Sequence, residues 1–289
     1  LGIYLCAVLS VLAVASSSGA KPRRALLFSM LWGSLVYAPA VHWVWGEGWL
    51  GVRGAIDTGG SLFMLIVCGS ILGIWRTRTT DQEPGSPWVG WDSVILHLSA
   101  SAFVLGYLIL MCALSVPFAH LRAIAFLNGI AAACGGFLFY YLMQFLTSNR
   151  TGQHTPVVGC CCGIISAAAG CTILDSQTAF TCGVFGGAAG FLAWTVALRF
   201  RCSQPLEFPF ATTASAMLGL LMVGCCGSSS YGVMDWNGTP ISSLMHGDNS
   251  QIKAQGLMSI TVLAYVFTLS KLLGKVCLRP TADSVISQN

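Results

Sequence analysis

The strongest constraint on this chain is a succession of apolar runs, each near the roughly 20 residues a helix needs to cross a bilayer. Nine can be drawn: residues 1–15, 25–45, 58–75, 93–116, 123–146, 156–174, 179–198, 208–226 and 254–273. They are almost free of Asp, Glu, Lys and Arg, and only 8% of the 289 residues are charged. A soluble domain carries about 25% charged residues. At a mean hydropathy of +0.74, a water-soluble globule could not cover its surface. Soluble enzymes, nucleic-acid binders and disordered chains are thereby excluded. The ten-residue alternating segments of a membrane barrel are absent, and a helix satisfies all its backbone groups internally, as lipid requires. The expected fold is an all-α integral membrane bundle of about nine transmembrane helices. Residues 1–274 form the transmembrane domain and 275–289 a short tail. The first run has no basic leader, which argues against a signal peptide, and reads as a span whose beginning has been cut.

Lys and Arg orient the bundle. If the break after the first run is cytoplasmic, that side collects Lys21, Arg23, Arg24, Arg76, Arg78, Arg150, Arg199, Arg201, Lys271, Lys275 and Arg279. The other side holds Arg53, Arg122 and Lys253, a split of 11 against 3. A wrong span count would scramble this asymmetry. The tail is therefore expected in the cytoplasm, with the plasma membrane as the host bilayer. On the same map the sequon Asn149-Arg150-Thr151 lies inside, whereas Asn237-Gly238-Thr239 lies in a long outer loop where it could be glycosylated.

The 13 cysteines sit mostly within the apolar runs and read as small packing residues. Cys160-Cys161-Cys162 is consecutive, so its side chains splay around a helix rather than converge on a metal. Gly183, Gly186, Gly187 and Gly190 make overlapping small-xxx-small pairs that allow close helix approach.

The most informative stretch runs from Leu31 to Gly46, through Trp32, Tyr37, Pro39, His42, Trp43 and Trp45, and continues with Gly48-Trp49-Leu50. It is a span with a Pro kink six residues before Trp45, ending in an aromatic belt of the kind that anchors helices at the interface. Ile56-Asp57-Thr58-Gly59-Gly60 follows. A carboxylate where the chain re-enters the bilayer is costly, so Asp57 either caps a helix start or places negative charge at a cation entrance.

This pattern resembles the Amt branch of the ammonium transporter family (Amt/Mep/Rh), with its W-x-x-x-V-Y-x-P-x-A-H-W-V-W-G, G-G-W-L and D-F-A-G-G blocks. Ala125-Phe126-Leu127-Asn128, Gly159 to Gly170, Leu206-Glu207-Phe208, Leu218-Gly219 to Gly224 and Lys275 to Arg279 resemble further family blocks in the same order. The resemblance implies eleven spans, of which the nine here would be the third to eleventh, and a trimer, homomeric or mixed, with one pore per subunit. It implies ammonium or ammonia as the substrate in a lipid bilayer, with no cofactor and no nucleic acid. It assigns Trp45 to an outer cation site and Asp57 to its support. Counting back without gaps places Tyr4 at an outer-gate phenylalanine.

The resemblance also marks departures. The family's two pore histidines fall at Met64 and at Thr212 or within a residue of it; neither replacement titrates near neutral pH as imidazole does. The inner-gate phenylalanine falls near Leu110 and the outer-site serine at Leu114 or Ser115, and the run Ile109 to Leu114 is wholly apolar. Of the five histidines only His97 sits well inside a span, as either a displaced pore group or a structural residue. Glu207 stands for the family's aspartate at a helix start. The expected activity is ammonium or ammonia transport through a pore lacking the paired histidines; the alternative is a non-conducting sensor or partner subunit. A membrane enzyme is not expected, because there is no H-E-x-x-H pair, intramembrane acid pair or Ser/His dyad.

Overall fold

The structure is a computed structural model, and it describes residues 2–16, 20–75, 91–115, 119–146, 156–199, 207–235 and 237–278. Helices α1 (Gly2–Ser16), α2 (Pro22–Trp32), α3 (Ala38–Trp45), α4 (Trp49–Val52), α5 (Ser61–Trp75), α6 (Trp91–Leu114) and α7 (Ala119–Leu146) are followed by α8 (Pro156–Ala168), α9 (Ser176–Arg199), α10 (Glu207–Cys226) and α11 (Ser250–Cys277). A π-helical turn, Gly33–Tyr37, joins α2 to α3 as one continuous rod. Among the described residues, six helical segments are long and apolar enough to cross a membrane. Three shorter apolar helices, Cys6–Ser16, Ser61–Ile74 and Pro156–Ala168, complete the nine runs read from the sequence. The chain is an integral membrane protein with an all-helical fold.

The proline explains the π turn. Pro39 has no N–H, so the Leu35 carbonyl four residues earlier loses its helical partner. The Tyr265 hydroxyl from α11 donates to that carbonyl at 2.5 Å, and the Ala38 N–H reaches five residues back to Gly33. The Tyr265 ring also packs on Trp43, with centroids 4.6 Å apart. The aromatic belt therefore stands on a kink that a neighbouring helix completes.

Two helices are shorter than their apolar runs. The run 58–75 becomes helical only at Ser61, because Gly60 adopts φ +97°, a conformation that favours glycine. The run 156–174 leaves the helix after Ala168. The backbone freed in the second case is buried yet satisfied: Thr58 N–H donates to the Ala169 carbonyl at 2.9 Å. Asn128 Nδ2 donates to the Cys171 and Leu174 carbonyls at 2.9 and 2.6 Å. Hydropathy cannot see this break, since the loop is as apolar as a helix.

Helices α7, α8, α9 and α10 pack most closely, through glycines at which any Cβ would strike a neighbouring backbone. A Cβ on Gly136 would meet the Gly159 carbonyl, and one on Gly183 the Ala132 backbone. Helices α5 and α11 lie against α10 and each other, with α1 and α2 outside them. The three consecutive cysteines do splay: Cys161 and Cys162 are buried and Cys160 is half-buried. Among the described residues no group of three or more His, Cys, Asp or Glu could hold a metal. Helix α11 continues through Lys275 to Cys277, and the tail from residue 279 lies outside the described residues.

Candidate functional site

The Gly54–Gly60 loop, between α4 and α5, is where the chemistry of the sequence concentrates. Trp45, at the end of α3, donates its indole N–H to the Asp57 carbonyl at 2.9 Å. The carboxylate of Asp57 turns the other way, into the start of α5. Its Oδ1 accepts the N–H groups of Gly60 and Ser61 at 2.9 and 3.1 Å, and its Oδ2 accepts that of Leu62 at 2.8 Å. Three of the four free amides at a helix start are thus paired with one side chain, which also complements the helix dipole. Asp57 lies ahead of the membrane-spanning helix and is buried; that burial pushes its carboxyl up to about 6, while the backbone N–H bonds oppose the rise. Asp57 thus serves first as a cap, and its negative charge lies beneath the loop that Trp45 covers.

Three tryptophans of the belt do three different things. Trp45 holds the loop. Trp43 packs between Tyr265 and Trp49, with centroids at 4.6 and 5.9 Å. Trp49 is partly exposed and carries the Arg53 guanidinium over its ring at 4.9 Å. Two glutamines from α11 complete the seat: Gln251 Nε2 donates to the Gly54 carbonyl and Gln255 Nε2 to the Ile56 carbonyl, each at 2.8 Å.

Below the loop, α6 presents one face. Tyr107 donates its hydroxyl to the Gly60 carbonyl at 2.7 Å. Leu110 and Leu114, one and two turns further on, flank Gly60: a Cβ there would lie 3.6 and 3.1 Å from their methyl groups. Ser115 donates to its own helix at Met111 and reaches Cys171 Sγ at 3.8 Å. Phe103 stacks on Tyr107 at 5.3 Å and meets Phe208 of α10 edge-on at 5.9 Å. A file of aromatic rings therefore runs from the loop toward the start of α10. There the Thr212 hydroxyl lies between the Phe208 carbonyl at 2.8 Å and Cys68 Sγ at 3.2 Å.

The structure brings Trp45 and Asp57 together, and brings Leu110 and Leu114 to the same loop. Met64 and Thr212 are both buried, on α5 and α10, but the hydroxyl of Thr212 meets Cys68, one turn past Met64. Tyr4 lies elsewhere: its hydroxyl abuts Gly33 and its ring packs edge-on to Tyr37, 5.5 Å away. Tyr37 is eight residues, or roughly 12 Å of helix, before Trp45. His97 falls in the second turn of α6 and is only half-buried. Glu207 begins α10, at the helix start read from the sequence, and is buried. Cys68, Tyr107, Gln251 and Gln255 were missed. The two glutamines four residues apart at the entry of a span were a legible signal, because buried amides in lipid need partners. In the sequon, Asn237 Nδ2 donates to the Val52 carbonyl at 2.9 Å, so a glycan there would be attached to a nitrogen that already makes a loop contact.

A helical membrane fold with helices interrupted at a capped, aromatic-covered loop defines the class: a polytopic protein whose irregular backbone builds a site within the bundle. Residues 6–279 match the model of the Ammonium Transporter Family, and the chain belongs to that family. It is 26% identical over 276 residues to the ammonium transporter of Bacillus subtilis, covering 92% of this chain and 66% of that one. It is 25% identical over 285 residues to ammonium transporter Amt1 of Archaeoglobus fulgidus, covering 94% and 68%. The crystal structure of Saccharomyces cerevisiae Mep2 superposes with a TM-score of 0.79 at 18% identity, covering 91% of this chain and 61% of that one. The chain thus spans about two thirds of the length of these relatives.

Proposed function

We propose that the chain carries ammonium or ammonia across the membrane, with the Asp57 loop facing outward. The observation that supports this is the bond from the Trp45 indole to the Asp57 carbonyl, which holds an aromatic ring against the loop whose buried carboxylate caps α5. A cation over an indole face gains about 0.5–2 kcal/mol, enough to collect ammonium. Beneath the entrance, Leu110, Leu114, Met64, Cys68 and Thr212 offer no charge. A dehydrated cation there would lose several kcal/mol of hydration with nothing to replace it. In this reading ammonium gives its proton back to water at the entrance and neutral ammonia crosses the constriction. The Thr212 hydroxyl and Cys68 thiol are its only polar side-chain contacts among these five residues.

The 11-to-3 asymmetry of Lys and Arg supports an inward tail, and the plasma membrane is the bilayer that goes with uptake from outside. Tyr4 then lines the wall below Trp45 rather than the entrance itself. The assembly that goes with this reading is the trimer, homomeric or mixed, that the family resemblance implies. The test is expression in yeast lacking its own ammonium uptake, with growth on limiting ammonium and uptake of labelled methylammonium. Uptake that falls in Trp45→Leu and in Leu110→Asp is expected. A chain that reaches the membrane and passes no methylammonium would overturn the transport reading in favour of a sensing or partner subunit.

A further inference from the structure

The start of α2 and the end of α11 meet at the opposite end of the bundle from the Asp57 loop. Two sets of bonds fix how these helices lie. The Trp32 indole N–H of α2 donates to Ser70 Oγ of α5 at 3.0 Å and to Ser270 Oγ of α11 at 3.2 Å. The Tyr265 hydroxyl of α11 donates to the Leu35 carbonyl. From Trp32 to Leu35 the partner on α11 moves back from Ser270 to Tyr265, so the two run antiparallel. Each rises about 1.5 Å per residue. Carried to the ends, this register sets Met30 level with Lys271, Leu26 with Lys275 and Arg24 with Cys277. The Arg24 guanidinium does lie close enough to Cys277 for its charge to act on the thiol.

Five cations therefore gather at one end of the pair: Lys21, Arg23 and Arg24 at the start of α2, and Lys271 and Lys275 in the last two turns of α11. Neither helix carries an Asp or Glu, and nor does α1, which packs on α2. Lys21, Arg23, Arg24 and Lys275 are exposed. Lys271, a turn deeper, is half-buried, with its ammonium over the Phe267 ring at 5.9 Å. A second observation narrows the ligand. The surface just below the cations is aliphatic: Leu26, Leu27 and Met30 of α2 and Leu272 and Val276 of α11 are all more than half exposed. Arg23, Leu27 and Met30 stand four and three residues apart, so cation and aliphatics share one stripe of α2.

We propose that the inner ends of α2 and α11 hold a phospholipid with an anionic headgroup, its phosphate among Arg23, Arg24 and Lys275 and its chains along Leu26, Met30 and Leu272. Basic clusters at the cytoplasmic end of a membrane helix attract anionic lipid, and guanidinium groups match the oxygens of a phosphate. A neutral phospholipid would gain nothing from five cations without a carboxylate on these helices. A soluble anion would gain nothing from the aliphatic stripe. Only a molecule that is both charged and apolar uses the whole surface. The inference stands whatever the chain transports.

The test titrates the purified whole chain in detergent with short-chain phosphatidylserine and reads the thermal midpoint. Short-chain phosphatidylcholine controls for the chains, and O-phosphoserine for the headgroup alone. Phosphatidylserine is expected to raise the midpoint by several degrees, and each control by much less. Arg23→Gln combined with Lys275→Gln should raise the half-saturating phosphatidylserine concentration several-fold. The charge-matched outer pair, Arg122→Gln with Lys253→Gln, should leave it unchanged, and so should Arg23→Lys with Lys275→Arg. No rise with phosphatidylserine overturns the proposal. An equal rise with phosphatidylcholine overturns the anionic class, and an equal rise with O-phosphoserine makes the ligand a soluble anion instead of a lipid. Unchanged saturation in the Arg23 and Lys275 variant, or equal weakening in the outer pair, places the lipid elsewhere and overturns the seat. Should the double variant not fold, Arg23→Gln alone decides by the same criterion.

Discussion

At the scale of single residues, Trp45 and Asp57 each make two contributions that substitutions can separate. Trp45 supplies an aromatic face and an N–H bond to the Asp57 carbonyl. Trp45→Phe keeps a face and deletes the bond. It should cost about 1 kcal/mol of stability, with methylammonium uptake weakened rather than lost; Trp45→Leu should lose uptake. Asp57 supplies a cap and a charge. Asp57→Asn keeps an acceptor for the Gly60 and Ser61 amides, whereas Asp57→Ala strands three amides at the start of α5. The alanine variant should be less stable by about 2 kcal/mol and the asparagine variant by roughly half of that. Thermal unfolding in detergent compares the two, and equal midpoints would show that Asp57 does not cap. These two residues were legible in the sequence for a physical reason. An acid beside a glycine pair and a tryptophan at a span end have few tolerable places in lipid. Cys68 was not legible, because the register of α5 against α10 is set by tertiary packing, and the sequence places Met64 and Cys68 on the same helix face with equal ease.

At the scale of elements, the α2–α3 rod tests how a helix break is completed from outside. Pro39 frees the Leu35 carbonyl and Tyr265 takes it. Tyr265→Phe leaves that acceptor in an apolar setting and should cost about 1–3 kcal/mol. Pro39→Ala restores an N–H four residues along, which can take the same carbonyl. In the Pro39→Ala background, Tyr265→Phe should therefore cost much less. A double-mutant cycle read by thermal midpoint should give a coupling of about 0.5 kcal/mol or more; additive losses would mean that the hydroxyl and the proline act independently. Elements also mark how far hydropathy reaches. All nine apolar runs became helices, six of them long enough to span. The unwound stretch after Ala168 was read as helix, because its backbone is satisfied by Asn128 and Thr58 from distant segments. The pairing lies outside any local window, so no count along the chain could reveal it.

At the scale of the whole molecule, the bundle is built tightly on one side and left irregular on the other. Without a hydrophobic drive between helices in lipid, association depends on close packing and hydrogen bonds. Helices α7 to α10 supply both. Gly183 lies against the Ala132 backbone, Gly219 lies against Ser166, and the Ser166 hydroxyl donates to the Cys182 carbonyl at 2.7 Å. The irregular backbone of the Asp57 loop and of residues 169–175 is held against this rigid block, so the site needs the block to keep its shape. The sequence showed the small-residue pattern on α9 but not its partners, which are the backbones of α7 and α8. A contrast of two glycines tests the dependence. Gly106 on α6 has open space where its Cβ would be, so Gly106→Leu should leave folding and uptake intact. At Gly183 a Cβ would strike the Ala132 backbone, which cannot rotate away as a side chain can. Gly183→Leu must separate α9 from α7, a strain beyond the roughly 1–3 kcal/mol of ordinary overpacking. It should leave little monodisperse protein by size-exclusion chromatography, while Gly183→Ala should fold with a lowered thermal midpoint. Wild-type behaviour of Gly183→Leu would mean that the block is loose, and that the loop site owes its shape to its own hydrogen bonds alone.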